Sequence, residues 1–285
     1  MTDRSRRRPW PALIALAAVV LLLFAGGRVG KGLGGTLALL LSAPYWLGPV
    51  MVWRTNRSRV PAWHVSSDAA FDALPVEVRP FFEHTGRDLQ QCGFILVAVL
   101  HETNLVPGYA TWVSVHVKRP AHQRAVVVAH LPANPLAPVK PKPAFYFRTA
   151  FGDGRVIETG NIDEPNVFPP LPRHDNWQFP EIADVRRLHE LHDVLLGPFG
   201  SASRDPIPEG GEVAHLTRAM LDFYRAHVGT GYLRVIEPDR VFGPTVKGAA
   251  LMTWKLLPPM SWLARAKVRD RNRAFLATHT VGGIG

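Results

Sequence analysis

The chain has 285 residues, with 33 Lys and Arg against 23 Asp and Glu, and a formal net charge of +10. Hydrophobic residues make up 47% and charged ones 20%, which excludes wholesale disorder. The single cysteine, Cys92, excludes an intrachain disulfide framework and a zinc site built on several cysteines.

The first part of the chain is apolar with basic flanks. Residues 1–59 carry a net charge of +8, from nine basic residues and Asp3. Residues 9–27 hold no charge, and at about 1.5 Å per helical residue they span roughly 28 Å, near the thickness of a bilayer core. Arg28 and Lys31 interrupt, and residues 32–53 form a second uncharged run ended by Arg54. The pattern predicts a membrane hairpin with spans at about 9–27 and 32–53. Trp10, Tyr45, Trp46 and Trp53 are its candidate interfacial anchors. Arg4, Arg6, Arg7 and Arg8 before the first run, and Arg54, Arg57 and Arg59 after the second, place both termini in the cytoplasm. A cleaved secretory signal fits less well, because the second apolar run follows at once. The Gly-rich stretch 26–32 lacks the Gly-x4-Gly-Lys-Ser/Thr spacing of a phosphate loop.

Residues 60–285 read as a soluble α+β domain. A helix is expected over 76–91, although Pro80 and Gly86 lie inside it. Residues 93–100 form a continuous apolar run, and 109–118 alternate Val and Thr with polar residues. Further strands are expected at 123–131, 144–151 and 155–160, the last two joined by the turn Gly152-Asp153-Gly154. Residues 131–144 are Pro-rich and read as an extended crossing. Strands that follow one another without helices predict an antiparallel sheet of about five or six strands, the sixth at 231–236. Residues 161–180 read as irregular. Helices covering the sheet are expected at 181–196, 212–228, 244–257 and 260–278.

Candidate chemistry is sparse. His189, His192 and Asp193 share one side of a helix and could ligate a divalent metal in a membrane-associated hydrolase. The spacing is not His-Glu-x-x-His, and partly buried helix histidines are the better account of it. His84 with Asp88, and His101 with Glu102, read as loop and cap residues. Ser201 and Ser203 lack a nucleophile elbow. Cys92 reads as a buried thiol.

The carboxyl-terminal segment 254–278 is basic and amphipathic. Trp254 and Trp262 precede Arg265, Lys267, Arg269, Arg271 and Arg273, which suits either a segment lying on anionic lipid headgroups or, the more ordinary reading, a helix that docks both Trp on the sheet and solvates its Arg. Residues 60–260 carry a net charge of −2, which argues against a nucleic-acid partner. No cofactor motif is present. The sequence therefore points to a non-catalytic, bilayer-anchored protein whose cytoplasmic domain binds a partner or a small apolar ligand.

Overall fold

The structure, a computed structural model, describes residues 27–65, 71–106, 108–134, 143–163, 166–200 and 202–279. Six helices and ten strands lie among them, in an α+β arrangement.

Helix α1 (Gly27–Thr55) contains one stretch, Gly34–Thr55, long and apolar enough to cross a membrane. Its mean hydropathy is 1.4 and none of the apolar window is buried. The turn expected at residues 28–31 is instead the opening of α1, so the described residues hold one such helix and no two-helix hairpin. The physical reason is simple. Arg and Lys are good helix formers, and charge alone marks a boundary with lipid without breaking a backbone ladder. The first apolar run, up to residue 26, lies outside the described residues.

The main sheet has seven strands, where five or six were expected. They are β2 (His64–Val65), β3 (Ile95–Val106), β4 (Tyr109–Lys118), β5 (Gln123–Pro132), β6 (Ala144–Ala150), β7 (Val156–Gly160) and β8 (His174–Gln178). They lie side by side in that order, antiparallel except for the parallel pair β7–β8. The sheet is therefore mixed, and the stretch expected to be irregular contributes its edge strand. The strand expected at 231–236 is β9 (Leu233–Glu237), and it belongs to a second sheet with β1 (Ser58–Arg59) and β10 (Val241–Pro244).

Side chains alternate across the main sheet, so each face has its own cover. Val99, Ala125, Val127, Phe145 and Phe147 face helices α2 (Arg79–Gln91) and α3 (Val185–Leu196), which bring Phe82, Leu89, Leu188 and Leu191. Pro80 sits in the first turn of α2, where its missing N–H costs nothing, so this helix begins later than expected. Asp184 caps α3 by accepting from Arg187 N at 2.9 Å. The opposite face carries Leu100, Val113, Val115 and Val126 and meets α4 (Glu212–Gly229) through Leu216. An ion pair between Arg119 and Glu212 fixes the start of α4.

The chain then returns to its beginning. Helix α5 (Val246–Leu256) packs along α1, and the indole N–H of Trp254 donates to Tyr45 O at 2.9 Å. Gly48 makes the close crossing possible, since a Cβ there would lie 2.6 Å from Thr253 Cγ2. Helix α6 (Met260–Thr278) closes the β8 edge: Asn272 Nδ2 donates to Gln178 O at 2.6 Å, and Phe275 packs on Trp177.

Candidate functional site

Of the three residues read as a possible metal set, His189 and His192 occupy the face of α3 that meets the sheet, and Asp193 lies exposed at its margin. His192 is fully buried, and each ring nitrogen has a threonine hydroxyl at 2.9 Å, Thr149 on Nε2 and Thr159 on Nδ1. Burial pushes its pKa down to about 3, so the ring is neutral. His189 lies 3.2 Å from Gln123 Oε1 and 3.6 Å from Asp193, and its ring meets Phe94 and Phe147. Gln123 also donates to Asp193 at 2.8 Å. The structure thus brings the three residues together along α3, but the imidazole of His192 is already spent on hydroxyls. Among the described residues, no three His, Cys, Asp or Glu side chains gather as a metal set.

The other sequence candidates are scattered. His84 and Asp88 form an exposed contact at 3.5 Å. His101 stacks on Trp112, and Glu102 accepts from Ala62 N at 3.0 Å. Ser203 lies in a loop where its carbonyl accepts from Gly152 N at 2.9 Å, and Ser201 lies outside the described residues. Cys92 follows the end of α2, half-buried, and burial raises its thiol pKa. Of the basic tail, Arg265, Lys267, Arg269 and Arg273 are exposed on α6. Arg271 is held at the β8 edge, over the Trp177 ring at 4.1 Å and donating to Asn176 O at 2.9 Å. Trp254 is tied to α1, and Trp262 is half-buried.

A second constellation lies on the opposite face, beneath α4. Strand register aligns Arg124, Arg148, Glu158 and Asn176 in one row across β5 to β8. The neighbouring row is Val126, Tyr146, Gly160 and Gln178. Gly160 is needed there, because a Cβ would stand 2.8 Å from Tyr146 Cβ. These rows floor a chamber of about 280 Å³, toward the small end of ligand pockets. Its roof is Leu216, Ala219, Met220, Phe223 and Tyr224, the apolar stripe of α4 at helical spacing.

The floor is charged and largely buried. Arg148 pairs with Glu158 at 2.5 Å, and His174 lies 3.0 Å from the other carboxylate oxygen. Burial alone would raise the Glu158 pKa, but Arg148 and His174 hold it down to about 2. Arg124 is 2% exposed, and burial lowers its pKa to about 10, with Arg148 adding to the shift. Its Nη1 lies 3.1 Å from His215 Nδ1, while its Nε is buried without a partner. An arginine has no acceptor, so the His215 nitrogen facing it must accept, leaving the other to donate toward Asp205 at 3.4 Å. His227 closes the far end of the roof helix. It is fully buried between Phe168 and Phe223, with neither ring nitrogen partnered.

This row carries no sequence motif. The available signal was phase: Arg124, Arg148 and Glu158 each fall opposite the apolar positions of three successive strands. Set against family models, curated proteins and solved structures, the chain gives no match.

Proposed function

We propose that this is a bilayer-anchored, non-catalytic protein whose domain holds a small, largely apolar ligand in the chamber beneath α4. The observation that carries the reading is the chamber itself, an apolar helix stripe set over a sheet face with room between them. The anchor is the apolar stretch Gly34–Thr55. Arg54, Arg57 and Arg59 follow it, a basic flank that supports a cytoplasmic domain in this reading. A binding role suits the floor better than acid–base chemistry. Glu158 is engaged by Arg148 and His174 and is too weak a base at neutral pH, and burial raises the Tyr146 pKa further from it.

The start of α6 rests at the membrane surface in this reading. Met260 and Leu263 are exposed apolar side chains there, and Arg265, Lys267 and Arg269 follow them toward anionic headgroups.

The test is calorimetric titration of the full chain in lipid nanodiscs with indole, a neutral apolar probe. Saturable one-to-one heat that Ala219→Trp abolishes by filling the roof supports the reading. Partition heat that is the same in both proteins overturns it.

A further inference from the structure

Resting on that reading, we propose that the chamber selects a monocarboxylate: an apolar body lies under α4 and its carboxylate is received by Arg124. Three facts on the sheet face lead there.

First, the charges do not balance. Arg124 and Arg148 both point from the row that floors the chamber, and Glu158 is the carboxylate in that row. Arg148 and Glu158 are mutually satisfied at 2.5 Å. Asp205 reaches Arg124 only through His215 and is itself about half exposed. One positive charge is therefore left on a buried side chain in a partly enclosed space. An uncompensated buried charge is strongly unfavourable, which makes an anionic guest favourable there.

Second, the donor that lacks a partner belongs to that same charge. Nη1 of Arg124 is occupied by His215, and the buried Nε is orphaned. The Nε edge of a guanidinium offers parallel N–H groups that match the two oxygens of a carboxylate. A single spare positive charge suits a monoanion. A phosphate dianion would overfill it and bring a larger desolvation cost.

Third, the guest cannot be only an anion. The roof opposite Arg124 is Leu216, Ala219, Met220, Phe223 and Tyr224, apolar groups that gain nothing from facing a bare ion. An aliphatic or aromatic body of modest size fills that gap, and the chamber volume of about 280 Å³ sets the scale. Tyr146 and Asn176 stand in the floor beside Arg124 and Arg148 as further polar groups for the head.

The experiment uses the full chain in nanodiscs of neutral lipid and compares 3-phenylpropanoate with its uncharged isostere 3-phenylpropanamide by calorimetry. The expected result is at least tenfold tighter binding of the carboxylate. Arg124→Met should bring the two within about twofold of each other, chiefly by weakening the carboxylate. If Arg124→Met fails to fold, Arg124→Lys serves in its place: it keeps the charge and loses the fork, and should retain only part of the preference. Equal affinities of acid and amide in the unaltered chain overturn the carboxylate assignment and leave the apolar chamber standing. No saturable binding of either compound overturns both. Inorganic phosphate that displaces the acid at similar concentration also overturns the assignment, because the apolar body would then contribute nothing.

Discussion

The indole N–H of Trp254 donates to the backbone carbonyl of Tyr45 at 2.9 Å, joining α5 to the apolar helix α1. One turn further along α1, Gly48 meets Thr253. Gly48→Ala places a methyl group against Thr253 Cγ2 and should destabilise the full chain in detergent by about 1–3 kcal/mol. Thr253→Ala alone should be close to neutral, since the hydroxyl it removes is buried without a partner. Combined, the second change should recover most of the first, a coupling of about 1–2 kcal/mol in urea unfolding. Additive effects would show that the two helices do not cross there.

The polar pairing inside the core gives a second expectation. Thr159→Val leaves His192 Nδ1 buried with no hydroxyl, and Thr149→Val does the same to Nε2. Each should cost about 1–3 kcal/mol in urea unfolding. Thr217→Val, in a half-buried hydroxyl that only back-bonds to Val213 O on its own helix, serves as the control and should cost less. Equal small effects at all three positions would mean that the imidazole draws no support from the sheet.

Acid should unfold the protein steeply. Burial lowers the pKa of His116 to about 4, of His192 to about 3 and of His227 to about 4. In each case the unfolded chain takes up the proton first, at the ordinary value near 6.5. Stability is therefore complete above about pH 6.5 and is lost as pH falls. With all three contributing, the loss is about 4 kcal/mol per pH unit between roughly pH 6 and 4. Glu158 works in the same direction lower down. Its folded pKa of about 2 makes its ion pair stabilising above the ordinary carboxylate range, and that contribution fades toward pH 2. A urea midpoint unchanged between about pH 7 and 5 would contradict this account.

Lipid composition should alter access to the start of α6. In a Cys92→Ser background, Leu263→Cys places a thiol at an exposed apolar position just before Arg265 and Lys267. Maleimide labelling should be several-fold slower in nanodiscs containing phosphatidylserine than in neutral ones. About 0.5 M salt should erase the difference, because screening shortens the reach of the Arg and Lys charges. Equal labelling in both lipids would detach this segment from the surface.

Regular patterns were legible from the sequence. The Val and Thr alternation of 109–118 corresponds to β4, and the basic stretch 260–278 to α6. What escaped depends on partners far along the chain. The five residues of β8, His-Asp-Asn-Trp-Gln, have no apolar alternation, and their strand conformation comes from pairing with β7 and contact with α6. Arg124, Arg148 and Glu158 look like three solvated positions when each strand is read alone. Only register sets them in one row, and only α4 covers that row. His192 could be placed on the apolar stripe of its helix, but its two threonines sit on strands 33 and 43 positions away.

The contact of α5 with α1 joins segments 209 positions apart, so it also orders events during synthesis. At translation rates of roughly 5–20 residues per second, α1 leaves the ribosome some 10 to 40 seconds before its companion helix exists. The small-residue surface around Gly48 is bare through that interval. Closure of α1 against the last third of the chain is thus a late step, and a polypeptide halted after α4 would carry this apolar helix without the partner that the finished protein provides.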